Sequence, residues 1–331
     1  MYNFLKQIIN IPAVSGRESD LLEKIRTLIA PYVDECSFDN LGNLMALKKG
    51  SAEAPKDIML CAHADEIGFI VNYIEDSGFV RVAPIGGINY VSASYTKVVF
   101  ENGTKGVLVP ESKVSDSKNS DSYYVDIGAD SKKTAEKKIN IGDVAVVEAS
   151  VDKLMGKRVV GRPMDDRIGC AVIFDIARTL EAPKDNVWFV FSVQEEVGCR
   201  GAKTAANKIY PDVALVFDVT LTGDTVGAPS MAVKLGDGAA VKIKDASVIC
   251  DHVIVEALIE LAKKNKIPYQ CEILKHGGTD TSSIQIAGSG VRAGALSIPT
   301  RYVHSSVEMI DMKDAEACRD LAVAFINNYN A

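Results

Sequence analysis

Two kinds of sequence pattern divide the chain and restrict the folds open to it. In residues 1–67 and again from residue 163 onward, apolar runs of strand length alternate with segments whose apolar residues recur at helical spacing. The run Ile58–Ala62 predicts a buried strand, and Arg167–Leu180 predicts a helix. Alternating strands and helices favour an α/β fold with a mainly parallel central sheet covered by helices on both faces.

Between residues 68 and 162 the pattern changes to short β-runs separated by turn residues. The run Lys97–Phe100 and the turn Ile85-Gly86-Gly87 are examples. The simplest interpretation is one α/β domain, residues 1–67 plus 163–331, that is interrupted by a small all-β domain of residues 68–162. Inside the insertion, the polar stretch 111–122 predicts a mobile loop.

Composition and charge exclude several classes of protein. The net charge of −7 argues against a nucleic-acid or anionic-membrane partner. No apolar run reaches the roughly 18 residues of a membrane span, and the N-terminal residues lack the features of a signal peptide. The seven cysteines include no CxxC pair, which is typical of a reducing compartment. We therefore expect a cytoplasmic protein that binds neither membranes nor nucleic acids.

Ionisable side chains follow the predicted strands at the point where each strand ends. In an open α/β sheet, ligands bind at the carboxyl ends of the strands. Two histidines and at least five carboxylates reach this edge, together with one arginine: His63, Asp65, Asp165, Asp166, Glu195, Glu196, Asp218, Arg301 and His304. Buried carboxylates are costly unless they are paired or metal-bound. The set therefore predicts a site for a pair of divalent cations.

The residue types and their spacing indicate how such a site would work. Imidazole and carboxylate ligands without an obvious cysteine suit Zn, Co or Mn. His63 and Asp65 are two residues apart on a strand, so Asp65 can orient the imidazole. Glu195 and Glu196 are adjacent, so their side chains diverge. One of them can bind metal while the other acts as the base toward a metal-bound water.

These motifs occur in the order of a known family. The chain resembles the tetrahedral (TET-type) di-metal aminopeptidases, which include glutamyl and deblocking aminopeptidases and are sometimes labelled endoglucanase-like. The resemblance extends over essentially the full chain. The matching stretches are residues 62–69 (AHADEIGF), 161–169 (GRPMDDRIG), 194–198 (QEEVG), 217–220 (FDVT), 277–280 (GGTD) and 298–305 (IPTRYVHS).

The resemblance implies a di-zinc peptidase fold with an inserted barrel-like β domain, and it implies a role for each site residue. His63 and Asp218 would hold one divalent cation, Glu196 and His304 the other, and Asp165 would bridge the two. Glu195 would be the general base and Asp65 would orient His63. The peptide bond between Asp165 and Asp166 is expected to be cis.

The resemblance also implies a substrate and an assembly. Short peptides with a free N-terminus would lose their first residue. The β insertion would form the contact of a dimer, and dimers would assemble into a homododecamer. Three further residues near the motifs are candidates for substrate binding, namely His276, Asp280 and Arg301.

Three other functions are compatible with parts of this pattern. A deacylase or a carboxypeptidase would share the metal set, and substrates blocked at either end would separate them from an aminopeptidase. A glycoside hydrolase needs two carboxyl groups and usually no metal, so sensitivity to a chelator would decide against it. A non-catalytic scaffold is disfavoured because Glu195 and the full ligand set are present.

Overall fold

The structure is a computed structural model that describes residues 1–111, 123–228 and 230–329. Apart from Glu111, the predicted mobile loop 111–122 lies outside the described residues. The helices are α1 (Tyr2–Ile8), α2 (Ser19–Ile29), α3 (Tyr90–Ala93), α4 (Lys132–Ala135), α5 (Arg167–Thr179), α6 (Arg200–Ile209), α7 (His252–Asn265), α8 (Thr281–Gln285) and α9 (Met312–Asn328). In these ranges, none of the helices is both long enough and apolar enough to cross a bilayer.

The strands belong to two sheets. They are β1 (Glu35–Phe38), β2 (Leu44–Lys48), β3 (Asp57–His63), β4 (Gly68–Ile74), β5 (Val80–Ile85), β6 (Lys97–Phe100), β7 (Lys105–Pro110), β8 (Tyr123–Asp126), β9 (Val144–Val147), β10 (Ser150–Lys153), β11 (Arg158–Arg162), β12 (Asn186–Ser192), β13 (Val213–Thr220), β14 (Ala239–Lys244), β15 (Tyr269–Ile273), β16 (Arg292–Arg301) and β17 (Glu308–Asp311).

The larger sheet is mixed, with a parallel centre. Its order is β1-β2-β12-β3-β13-β16-β17-β11-β10, and β14 and β15 are attached beside β16. The four central strands, β12, β3, β13 and β16, pair in parallel. The outer strands β1, β2, β17, β11 and β10 pair antiparallel, whereas β14 pairs antiparallel with β16 and in parallel with β15. The predicted α/β class is confirmed, and the antiparallel flanks are an addition to it.

Strand β3 illustrates how the sequence builds a layer on each face of this sheet. Successive side chains of a strand point to opposite faces. Ile58 and Leu60 therefore pack in one core with helices α1, α2, α5, α7 and α9. Met59 and Cys61 pack in a second core with α6 and α8. Because both faces are covered, the strand is apolar throughout instead of alternating.

The smaller sheet is a closed barrel in the order β4-β5-β8-β7-β6-β9. It has a core of its own, in which Phe69, Val82 and Leu108 are buried. The barrel is inserted between β3 and β10, so the chain leaves the large sheet after His63 and returns to it after Val147. The predicted barrel-like insertion is thus present in the fold.

The barrel ends earlier than the boundary that the sequence predicts. Strands β10 and β11 pair with each other, and β11 pairs with β17 of the large sheet. The boundary at residue 162 would assign both strands to the insertion, whereas the structure assigns them to the large sheet. Short β-runs carry no local information about which sheet they join, because that depends on a partner strand near residue 310.

Candidate active site

Five segments bring ionisable side chains to the carboxyl-end edge of the large sheet. His63 ends β3, Asp218 lies near the end of β13 and Asp165 precedes α5. Glu196 follows β12 and His304 follows β16. All five, together with Glu195, line one cleft of about 490 Å³. The convergence follows from the parallel centre of the sheet, because parallel strands end at the same edge.

Asp165 lies between two histidines. Its Oδ1 is 3.0 Å from Nε2 of His63, and its Oδ2 is 3.2 Å from Nε2 of His304. The His63 nitrogen is also 3.8 Å from Oδ1 of Asp218. The His304 nitrogen is 3.3 Å from Oε2 of Glu196. The result is two adjacent clusters of one imidazole and two carboxylates that share Asp165.

Burial opposes the charges of His304, Asp165 and Asp218, and pairing with opposite charges outweighs it for the pKa of the first two but not of the third. Burial disfavours the imidazolium of His304, but hydrogen bonds to Asp165 and Glu196 outweigh it and raise the pKa to about 11. The carboxyl pKa of Asp165 is lowered, because the two imidazoles outweigh the effect of burial. Burial raises the pKa of Asp218, and the attraction of His63 compensates only in part.

This donor set fits two divalent cations. Imidazole nitrogens combined with carboxylate oxygens are ligands that Zn, Co and Mn accept. Several carboxylates in a buried cluster also require positive charge nearby. His63, Asp165 and Glu196 offer ligand atoms within 4.8 Å of one another, and so do His63, Asp166 and Asp218.

Asp166 therefore belongs to the site, beyond its expected place beside a cis peptide. The bond between Asp165 and Asp166 is indeed cis. Oδ1 of Asp166 accepts a hydrogen bond from the Gly169 amide at 3.0 Å and so caps α5. Its buried Oδ2 has no hydrogen-bond partner among the described residues.

Glu195 lines the cleft beside the two clusters. Burial raises the pKa of its carboxyl group well above the usual range, and the carboxylates of Asp218 and Asp280 raise it further. The thiol of Cys199 donates to its Oε1 over 3.2 Å. Burial raises the pKa of that thiol as well, so it stays protonated. A carboxyl group with a raised pKa is suited to accept and return a proton.

Asp65 contacts both His63 and the loop that carries Glu195 and Glu196. His63 Nδ1 lies 3.1 Å from the backbone carbonyl of Asp65 and 3.5 Å from its carboxylate. The same carboxylate accepts the backbone amides of Glu195 at 2.9 Å and Glu196 at 3.2 Å, and the hydroxyl of Ser15 at 2.6 Å. It lies beside His63, whose orientation by Asp65 stays a prediction, and it also holds the Glu195-Glu196 loop, which the sequence did not indicate.

Glu308 is a buried residue that sequence reasoning missed. Its carboxylate accepts the backbone amides of His304 at 2.9 Å, Asp165 at 3.1 Å and Met164 at 2.7 Å. Arg162 lies 3.4 Å away as its ion-pair partner. Burial raises the pKa of Glu308 to about 7. One carboxylate therefore fixes the backbone of two predicted ligands, and no motif marks it in the sequence.

The barrel contributes to the site through a backbone atom. The carbonyl of Gly87, in the turn after β5, lies 3.0 Å from Nδ1 of His304. A Cβ atom at this position would lie 3.1 Å from the same nitrogen, which is closer than most side chains tolerate. The insertion thus orients one of the two histidines.

The three predicted substrate-binding residues lie in different places. His276 lines the cleft. Asp280 is buried behind it, where burial raises its pKa to about 6 and Ser192 donates to it at 2.5 Å. Arg301 pairs with Asp224 over 2.7 Å. A direct substrate contact by Asp280 or Arg301 stays a prediction that these partners do not support.

Comparison with known proteins identifies the family. The model of the M42 glutamyl aminopeptidase family matches residues 42–321. A protein from Acetivibrio thermocellus, whose name marks it as a presumed aminopeptidase, is 46% identical over 328 residues, which cover 98% of both chains. This chain therefore belongs to the M42 glutamyl aminopeptidase family, and it is an aminopeptidase, a hydrolase of peptide bonds.

Two solved structures share the whole fold. An aminopeptidase from the archaeon Desulfurococcus kamchatkensis superposes with a TM-score of 0.95 at 37% identity, covering 99% of this chain and 94% of that chain. The TET1 peptidase of Pyrococcus horikoshii superposes with a TM-score of 0.86 at 33% identity, covering 99% of both chains. That peptidase is described as able to assemble into a tetrahedron or a large octahedral shell.

Proposed function

We propose that the chain is a metal-dependent aminopeptidase that removes N-terminal residues from short peptides with two divalent cations, Zn, Co or Mn. The observation that carries this proposal is the position of Asp165. Each of its two carboxylate oxygens faces a different histidine, at 3.0 and 3.2 Å. A carboxylate shared by two imidazole–carboxylate clusters suits a ligand that bridges two cations.

Five side chains would hold the cations. His63 and Asp218 would hold one, His304 and Glu196 the other, and Asp165 would bridge them. Bound cations would polarise the first carbonyl group of the peptide and lower the pKa of the attacking water. The short distances within each pair support this assignment. Asp166 is a further candidate on the His63 side.

Glu195 would transfer the proton. Its carboxylate takes one proton from the water whose oxygen attacks the carbonyl carbon, and it later delivers that proton to the leaving amine as the C–N bond breaks. Its raised pKa and its place in the cleft support this role. The bond from its backbone amide to Asp65 would keep it aligned.

The test is a reconstitution with matched substrates. Protein stripped by a chelator is reloaded with Zn, Co or Mn, and the bound metal per chain is measured by plasma mass spectrometry. We expect two ions per chain and release of the first residue from a free-amino peptide. The same peptide with an acetylated N-terminus should not be cleaved, and neither peptide should lose its C-terminal residue. Full activity after chelation, or cleavage of the acetylated peptide, would contradict the proposal.

We also propose that copies of the chain form dimers that assemble into a dodecamer through the barrel. The assembly described for the Pyrococcus horikoshii peptidase supports this proposal. Light scattering of the metal-loaded protein tests it, and a monomer at all concentrations would contradict it.

The cytoplasmic location stays a prediction that cell fractionation would test.

A further inference from the structure

We propose that the cleft selects peptides whose first residue is apolar and uncharged, such as leucine or methionine, and that Leu221 and Leu274 recognise this side chain. The inference rests on the proposed function and adds the class of N-terminal residue to it. It concerns the wall of the cleft that extends beyond the proposed cation ligands.

Two segments form this wall. The end of β13 and the residue after it contribute Val219, Thr220 and Leu221. The segment after β15 contributes Leu274. Leu221 is 41% exposed and Leu274 is partly buried, so apolar atoms of both leucines remain open to the cleft. Covering these atoms with an apolar ligand removes their surface from water and stabilises the complex.

A charged side chain would find no partner on this wall. In the part of the chain that the structure describes, the cleft beyond the cation end is lined by no Asp, Glu, Lys or Arg, and His276 at the rim is its one imidazole. Arg301 does not line the cleft, and its guanidinium donates two hydrogen bonds to Asp224, at 3.1 and 2.7 Å. A charge entering here would lose hydration without gaining an opposite charge.

Charged groups do lie behind the wall, and they bind one another. Lys242, Glu272 and Asp245 are all buried, and the lysine forms salt bridges with both acids. The hydroxyl of Thr220 donates to Glu272 at 2.8 Å, and that of Ser247 donates to Asp245 at 2.9 Å. These hydroxyls stand between the charges and the cleft, so the buried cluster supports the wall and does not face the substrate.

The first experiment compares substrates that differ in the first residue and share the same leaving group. Metal-loaded protein is assayed with leucyl, methionyl, glutamyl and lysyl p-nitroanilides. We expect kcat/KM for the leucyl and methionyl substrates to exceed the values for the other two at least about tenfold. A glutamyl or lysyl substrate that is cleaved best would overturn the inference. No cleavage of any of the four would instead contradict the proposed function.

The second experiment tests whether substitutions at the two leucines change the preference for the first residue of the substrate. Leu274→Asp and, separately, Leu221→Asp place a carboxylate on the wall, so kcat/KM for the lysyl substrate should rise relative to the leucyl one. Ile273→Asp is the matched control, because Ile273 is 60% exposed and does not line the cleft. It should keep the wild-type ratio. If both leucine variants also keep that ratio while they still turn over, these leucines do not recognise the substrate.

Discussion

Three properties of Glu195 suit it to proton transfer: it borders the cleft, burial raises its pKa, and a thiol donates to it. Glu195→Gln keeps the shape but removes proton transfer. Because general acid–base catalysis contributes about 10²–10⁴-fold, kcat should fall by that range while two metal ions remain bound. Steady-state kinetics and metal analysis of the same sample measure both quantities.

A matched control at the residue scale is Glu256→Gln, which changes an exposed glutamate on α7. It should leave kcat and metal content at wild-type values. Loss of metal from the Glu195→Gln variant would make Glu195 a ligand instead of the base. Nearly normal turnover would exclude it from proton transfer altogether.

At the scale of elements, the turn after β5 joins the barrel to the site. Gly87→Ala places a Cβ 3.1 Å from His304 Nδ1, so either the ring or the turn must shift. Loss of a group that hydrogen-bonds a metal-binding histidine typically lowers metal affinity about 10–100-fold. We expect one of the two ions to bind that much more weakly in a competition titration with a chelating dye.

Gly103→Ala provides the comparison for this turn. It lies in another barrel turn and meets nothing within 4 Å. Its positive φ makes the substitution strained, so it should lower barrel stability and leave metal affinity unchanged. Equal loss of metal in both variants would mean that barrel stability, and not the Gly87 contact, controls the site.

The elements also explain what the sequence could predict. Ile58–Ala62 is apolar because both faces of β3 are covered, and His63 follows at the sheet edge. A local pattern thus indicated both the strand and the histidine that the structure places in the cleft. The Gly87 carbonyl and Glu308 were missed for the opposite reason. A backbone acceptor has no sequence signature, and Glu308 acts through amides that only the finished fold brings to it.

For the whole molecule, Asp314 links pH to stability. This buried carboxyl in the first turn of α9 accepts the amides of Gly236 and Gly238, and burial raises its pKa to about 7. In the unfolded chain the pKa is about 3.9. The folded state therefore holds this proton to higher pH. The contribution to stability is complete below about pH 4 and is lost as the pH rises to about 7.

Asp314→Asn cannot ionise, so its Tm relative to the wild type should increase from pH 4 to 7 and level off above. Asn327→Ala, which changes an exposed residue without an ionisable group on the same helix, is the control and should show a constant difference. Thermal unfolding of the three proteins across this range measures the effect. A relative Tm of the Asp314 variant that is flat or falls with pH would refute it.

His304 contacts Gly87 and Asp165, which both precede it by more than a hundred residues in the chain. The order of synthesis therefore determines when these contacts can form. A nascent chain emerges from its N-terminus, so β3 and the barrel leave the ribosome long before β16 and the histidine that follows it. The second cluster is incomplete until residue 304 has been synthesised. A growing chain therefore lacks one of the two clusters until most of the fold has been synthesised.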